Sequence, residues 1–277
     1  MLIPILALIA VLFIIIERCR PASDLPEVKG WWRRIVLLNA AQAGIVIMAG
    51  FTWDRWFSRW SVFHLSDKFS APVAAAVAYL VSTFVYYWWH RLRHESKFFW
   101  RLCHQLHHSA SRIEILTSFY KHPVEILINS IIGAGLLYGV LGCDPVAGAI
   151  YTALTAVAEY FYHWNIKTPR WIGNFIQRPE SHRVHHQYQR HSGNYADLPV
   201  WDWMFGTFDN PTENPARCGF SAPLEAKFGA MLKFQDVHAP PLPPTCMGCS
   251  KRTACQMQKR LAATAAPLTG TETATPS

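Results

Sequence analysis

The chain has 277 residues, of which 51% are hydrophobic and only 16% charged, and its formal net charge is +8. The apolar residues come in long blocks with most of the basic residues between them, so membrane orientation and anionic lipid headgroups explain the positive charge better than nucleic acid does. No nucleic-acid partner is expected. Seven scattered cysteines, an odd number, argue against a disulfide framework.

Five apolar blocks follow one another along the chain. They cover residues 2–16, 35–53, 71–89, 125–143 and 145–162. A spanning helix needs about 20 apolar residues, and about 17 still suffice. The first block is short, and the tight turn at Asp144 leaves open that the last hairpin stays within one leaflet. The sequence therefore predicts an all-α integral-membrane helical bundle of four or five spans.

The basic residues predict the orientation of this bundle. Lys and Arg are abundant after the first, third and fifth blocks, whereas Asp54 and Asp67 offset most of the positive charge between the second and third. Arg18 and Arg20 follow the first block and no basic residue precedes it, so an N-out anchor is favoured over a cleaved signal peptide. By the positive-inside rule the N-terminus lies outside and the C-terminus lies in the cytoplasm.

Histidines are concentrated just beyond the apolar blocks, on the predicted cytoplasmic side. Eight of the thirteen fall in three clusters with helical spacing: His90/His94, His104/His107/His108 and His182/His185/His186. Side chains three and four residues apart share one face of a helix, and neutral imidazole is the commonest protein metal ligand. In each cluster all members can therefore point one way. The pattern predicts a histidine-lined site for two metal ions in a cytoplasmic cap.

Histidines in such numbers have four other interpretations. A lone histidine is usually a satisfied polar or surface residue, but eight in matched spacings are not independent accidents. A zinc-storage tract would be a low-complexity loop, and these clusters lie in helical contexts. A histidine-rich metal transporter would need ionisable residues along its spans, which are nearly free of charge apart from Glu159. A zinc-stabilised structural membrane protein stays open.

The order of these motifs resembles that of the fatty acid hydroxylase/sterol desaturase superfamily of integral-membrane di-iron enzymes. The matching motifs are the three clusters, His163-Trp164-Asn165, Asn194-Tyr195 and Trp201-Asp202-Trp203-Met204-Phe205-Gly206-Thr207. They lie within residues 71–210, about half of the chain. The family often has glycine where this chain has Ala196. Each motif alone is a weak signal, whereas the combination is highly specific.

The resemblance implies a chemistry and its partners. It implies two iron ions (replaceable by zinc on isolation), O2, a membrane lipid substrate and electrons from NAD(P)H through a carrier such as a ferredoxin or a cytochrome b5-like protein. Hydroxylation is favoured, and desaturation of the same lipid is the alternative. The resemblance does not say whether the substrate is an acyl chain, a sterol-like ring or an aminolipid headgroup. The oligomeric state also stays open.

Four residues outside the clusters gain roles from the resemblance. His163 is expected to be a ninth ligand, because it ends the fifth block and an ionisable residue there is costly unless functional. Glu159, four residues earlier, is either a ligand or supporting group or a simple interfacial carboxylate. His122 matches a His-Pro element and is expected to line the site rather than only to begin a helix. Asn194 is a further candidate supporting residue.

The apolar blocks, the extent of the resemblance and the composition of the tail together predict three regions. Residues 1–70 would form the N-terminal anchor spans, 71–210 the hydroxylase-like catalytic domain, and 211–277 a partly disordered cytoplasmic tail. The host membrane is the inner membrane of a bacterium or the endoplasmic reticulum of a eukaryote. Cys246, Cys249 and Cys255 in the tail lack a clear fourth partner, so free thiols are favoured there over a zinc or iron–sulfur site.

Overall fold

The computed structural model describes residues 2–238, and within that part the regular secondary structure is all helical apart from one isolated bridge between Gln187 and Cys218. The α-helices in order are α1 (Leu2–Cys19), α2 (Trp31–Phe51), α3 (Trp53–Phe57), α4 (Leu65–Lys68), α5 (Ala71–Glu95), α6 (Lys97–Phe99), α7 (Gln105–Ser109), α8 (Pro123–Ala134), α9 (Pro145–His163), α10 (Pro179–His185), α11 (Pro199–Met204), α12 (Ala222–Glu225) and α13 (Phe228–Met231). Shorter 3₁₀ and π turns join several of them. The tail cysteines lie outside the described residues.

Three helical stretches of the described chain are long and apolar enough to cross a membrane. They are Trp31–Trp60, Ala71–Glu95 and Pro123–Val140. They correspond to the second, third and fourth predicted blocks, so a membrane protein is supported. The first and fifth blocks form α1 and α9, which are not among the three. The count of four or five crossings stays a prediction.

Small residues let α5 pack closely against α9. Ala74, Ala75 and Ala78 of α5 are fully buried, and they meet Ala147 and Tyr151 of α9 in one apolar cluster. Side chains as short as a methyl group bring two backbones close together, which is the usual way in which helices associate within a membrane. This contact orients α5, whose C-terminal end carries His90 and His94.

The turn between α8 and α9 is built as its sequence indicates. Gly142 has a φ of +68°, and a Cβ there would meet the Ser61 hydroxyl oxygen at 1.9 Å, so only glycine fits. The Asp144 carboxylate accepts a hydrogen bond from the Ala147 amide at 2.7 Å, and Pro145 takes the first helical position. The turn therefore starts α9 and directs its C-terminal end towards the histidines.

The N-terminal helix is tied to the cap by one buried carboxylate. Glu17, near the end of α1, is 1% exposed and accepts hydrogen bonds from the amides of Ile115 and Asn165, each at 2.9 Å. A second apolar cluster joins α2 to α7. In it Trp31 and Leu38 of α2 pack with Leu106 of α7 and with Phe220. These contacts join the first two helices to the segments that carry the histidines.

Candidate metal centre

The predicted ligands meet in two neighbouring groups. The five-histidine group is His90, His94, His104, His108 and His185, and the four-histidine group is His107, His163, His182 and His186. Within each group, one ring nitrogen per residue lies within 4.8 Å of all the others. The two groups touch through the rings of His108 and His186, which are stacked with centroids 4.2 Å apart. All nine predicted residues are thus brought together, and they are divided between two places.

The division corrects the expectation that each cluster points one way. His104 and His108 enter the five-histidine group, whereas His107 enters the four-histidine group. His182 and His186 share the four-histidine group, and His185 belongs to the other. Residues four apart lie nearly one above the other on a helix, and the residue at position three is rotated away from them. Each cluster of three therefore contributes to both groups.

In most of these histidines the Nδ1 atom is held by the protein and the Nε2 atom faces the group. The Nδ1 atoms of His90, His107, His163 and His185 lie 2.8, 3.2, 2.9 and 2.6 Å from the backbone carbonyl oxygens of Tyr195, Tyr120, Glu159 and Gly193. Because a carbonyl oxygen only accepts, each Nδ1 must carry the proton. The Nε2 lone pair is then free to bind a metal ion, and the ring is fixed in orientation.

Burial keeps these imidazoles neutral. It lowers the pKa of His185 to about 3 and holds the pKa values of His107, His108, His182 and His186 well below the ordinary value. Neighbouring histidines add to the effect, since several positive charges so close together would repel. At neutral pH the rings are therefore in the form that binds metal.

The short contacts between Nε2 atoms fit metal ions. His94 and His104 approach at 3.0 Å, His163 and His182 at 3.0 Å, and His182 and His186 at 3.2 Å. Ligands at right angles about an ion with bonds of roughly 2.1 Å would lie about 3.0 Å apart. Among the described residues, the buried Nε2 atoms of His90, His108 and His185 have no hydrogen-bond partner. Lone pairs that converge without a proton between them are expected where a cation binds.

Glu125 is a site residue that the sequence analysis missed. Its fully buried carboxylate lies 3.2 Å from His104 Nδ1 and forms an ion pair with the buried Arg93 guanidinium. A carboxylate behind a ligand imidazole fixes the ring and raises its basicity. In the sequence, Glu125 is a carboxylate at the start of an apolar block, two residues after a proline, and that pattern alone does not distinguish it from the edge of the block.

His191 is a second residue that was missed, because it has no partner at helical spacing. Its Nδ1 atom lies 3.2 Å from His108 Nδ1, so one of the two nitrogens donates and the other accepts. Burial lowers the pKa of His191 to about 4, so its ring is neutral as well. It supports His108 from behind and lies outside both groups.

The other three predicted residues lie outside the two groups. The Glu159 carboxylate pairs with Lys121 at 2.5 Å, and its second oxygen lies 3.7 Å from His163 Nδ1, which makes a supporting position rather than a ligand. The expectation that His122 lines the site is not met, because its Nδ1 accepts the Val124 amide as a helix cap and its Nε2 contacts the Leu232 carbonyl. A helix start with proline at its first position needs such a cap.

Asn194 supports the backbone beside the site. Its amide nitrogen donates to the carbonyls of Ser181 and Asp209, and its oxygen accepts from the Asp209 amide at 2.7 Å. It holds a left-handed conformation with φ of 51°. The next residue, Tyr195, supplies the carbonyl that orients His90. Asn194 thus acts on the five-histidine group through its neighbour.

Comparison with known proteins now identifies the family. Residues 75–207, which include every histidine of both groups, match the family model described as fatty acid hydroxylase. These residues form a domain of the fatty acid hydroxylase/sterol desaturase superfamily. No solved structure is significantly similar to the chain.

Among curated members of the superfamily, three illustrate the range. Human alkylglycerol monooxygenase is 30% identical over 49% of this chain and 31% of its own length. Methylsterol monooxygenase 2-1 of Arabidopsis thaliana is 28% identical over 67% of this chain and 74% of its own length. Ornithine lipid hydroxylase OlsE of Rhizobium tropici is 30% identical over 52% of this chain and 44% of its own length. The chain thus spans less than half the length of two of these relatives.

Proposed function

We propose that the protein is an O2-dependent di-iron hydroxylase that acts on a membrane lipid. The observation that carries the proposal is the pair of buried histidine groups with converging Nε2 atoms, next to a helix long enough to cross a membrane. The names of the relatives support the reaction type, since all three are monooxygenases or hydroxylases of lipids.

The nine histidines would hold two iron ions, one in each group. Iron bound there would supply the activation of O2 and the oxidising power that an unactivated C–H bond requires. The chain's own residues orient the imidazoles through Tyr195, Tyr120 and Gly193, keep them neutral by burial, and exclude water from the site. Glu125 and Arg93 would hold His104 as a positioning pair.

We further propose that the site faces the cytoplasm and that the lipid enters sideways from the inner leaflet. The Lys and Arg distribution supports this orientation, and His90 and His94 at the end of α5 would then lie at the cytoplasmic surface. Electrons would come from NAD(P)H through a carrier protein. We retain the division into anchor, catalytic and tail regions as a part of this proposal.

Desaturation of a lipid is the alternative reaction of the same site. Transport and a structural zinc site are less well supported, because the relatives named above are monooxygenases and hydroxylases. Iron and zinc both suit imidazole, and zinc binds more tightly than ferrous iron in the general affinity order. Purified protein that contains zinc would therefore not argue against the proposal.

The test is anaerobic reconstitution with ferrous iron, followed by O2 consumption and mass spectrometry of membrane lipids. We expect two metal ions per chain and a gain of one oxygen atom in one lipid class, with turnover following the iron fraction rather than total metal. A matched zinc-loaded sample is the control. If iron-loaded protein with a reductant consumed no O2 with any inner-leaflet lipid, the structural zinc interpretation would replace this one.

A further inference from the structure

Residues 195–205 lie along the side of α5 rather than beyond its end. The Tyr195 carbonyl meets His90, Phe205 stacks on Tyr87 with centroids 5.1 Å apart, and Trp201 donates to the Thr83 hydroxyl at 2.9 Å. The most distant contact joins the Asp197 carboxylate to the Tyr79 hydroxyl at 3.3 Å. The segment therefore follows α5 over eleven residues, which is about 16 Å of helix.

The position of α5 fixes the depth of these contacts. Asp67 and Lys68 precede the helix, so the hydrocarbon layer begins near Ala71. A layer of about 30 Å then extends to about twenty residues further along the helix. Thr83 and Phe84 lie about 10 Å inside that boundary, and both contact Trp201 of α11. If α5 crosses the membrane, α11 lies within the apolar layer.

Several backbone amides of this segment are paired within the protein, as such a location requires. Irregular backbone is tolerated at membrane depth only where its polar groups are satisfied within the protein. The buried Asp202 carboxylate accepts the amides of Tyr195 and Ala196 at 2.8 and 3.0 Å and the Thr207 hydroxyl at 2.7 Å. The amides of Trp201, Phe205 and Thr207 bond to backbone carbonyls of the same segment.

The outward side of the segment is apolar and continues onto a neighbouring turn. The turn Arg170–Asn174 packs against α11. The large exposed side chains of this turn, of the two residues after it and of α11 are Trp171, Phe175, Ile176, Val200, Trp203 and Met204. Phe175 and Met204 are 70% and 65% exposed. The only acidic residue of α11, Asp202, is buried. Apart from the exposed Arg170 at the start of the turn, this exposed surface carries no charged side chain, and apolar surface of this kind is typical of a membrane contact.

We propose that residues 170–176 and 195–205 form a re-entrant element that enters the leaflet on the histidine side, with its apolar side covered by lipid hydrocarbon. The inference concerns a lipid-binding surface and goes beyond the proposed chemistry, but it rests on α5 crossing the membrane. Lipid chains would then contact the protein directly beside Tyr195 and His90, below the level of the cap.

The test maps single cysteines in native membranes opened to both sides. Cys19 and the three tail cysteines are first replaced by serine, and the buried Cys103, Cys143 and Cys218 stay. Phe175→Cys and Met204→Cys report on the element. Leu80→Cys, exposed on α5, reports on the span, and Lys233→Cys, exposed in the cap, reports on water. Each variant is treated with a charged maleimide, which reacts with cysteines that water reaches. In a parallel sample the same cysteine is labelled with bimane, and the protein is placed in vesicles whose brominated acyl chains quench bimane on contact.

We expect the Phe175→Cys and Met204→Cys variants to react at least about tenfold more slowly than Lys233→Cys, and their bimane to be quenched by brominated lipid as strongly as at Leu80→Cys. Reaction as fast as at Lys233→Cys would overturn the proposal. If the element cysteines react quickly but Leu80→Cys is protected, α5 crosses the membrane and the re-entrant element is wrong. If Leu80→Cys also reacts quickly, the assumption that α5 crosses the membrane is wrong. Neither readout depends on turnover, so a failed hydroxylase assay would leave the outcome unaffected.

Discussion

Replacing Glu125 by glutamine removes the only carboxylate that contacts a histidine of the five-histidine group in the described part of the chain. Glu125→Gln keeps the size of the side chain and one oxygen acceptor, but it takes away the negative charge between His104 and Arg93. The Arg93 guanidinium would then be buried without a counter-ion. We expect both a loss of stability and a weaker metal site, for the same electrostatic reason.

The sizes of the two effects follow from burial. The side chains of Arg93 and Glu125 are 6% and 0% exposed, so water screens neither charge. Removing one partner of a buried pair costs about 3–5 kcal/mol, and the retained oxygen places this variant near the lower value. Losing the carboxylate behind a ligand imidazole lowers metal affinity by about 10–100-fold. This loss should fall on the five-histidine group alone.

The matched control is Glu95→Gln, the same substitution in an exposed pair. The Glu95 carboxylate is 58% exposed and bonds to Arg91 four residues earlier on α5, so its loss should cost no more than about 0.5 kcal/mol. Thermal unfolding in detergent and metal content after dialysis against graded chelator measure both effects. Wild-type unfolding temperature and two retained metals in Glu125→Gln would refute the positioning role.

Three further results are expected. His107→Ala and His108→Ala change adjacent residues, and each should abolish turnover. The first should weaken metal binding in the four-histidine group and the second in the five-histidine group, so metal-specific spectroscopy should distinguish the two variants, and identical spectra would contradict the division. His191→Ala should lower metal affinity or activity by about 10–100-fold because it supports His108, while the exposed His238→Ala should not, as chelator titration and turnover would show. A cytoplasmic reporter should be active near His107 and inactive near Asp67, and equal activity would refute the orientation.

Local patterns predicted the parts of the site that lie on one element. A continuous α5 that carries His90 and His94, the turn at Asp144 and the helical spacing of the clusters were all visible in the sequence. Periodicity reports which side chains share a face of one helix. It therefore indicated that His104 and His108 stay together, and the same rule, applied more strictly, separates His107 from them.

Contacts between distant residues were not visible in this way. Glu125 meets His104 across 21 positions, and His191 meets His108 across 83. Neither has a spacing partner, so the sequence gives no reason to place it at the site. The return of residues 195–205 along α5 depends on the packing of Trp201 and Phe205, which a motif resemblance does not reveal. His122 was assigned to the site because it matches a His-Pro element of the family, and the same His-Pro pair also fits the helix start that the structure shows.

The buried Glu17 carboxylate has a consequence for the order of biosynthesis. Its two amide partners, Ile115 and Asn165, are 98 and 148 positions further along the chain, so they leave the ribosome long after α1 has been made. Until then this carboxylate has neither of its final partners. The N-terminal helix therefore cannot dock in its final place before α9 has been synthesised. We expect α1, although made before the other described helices, to be among the last to be fixed, closing the bundle only once His163 has already emerged.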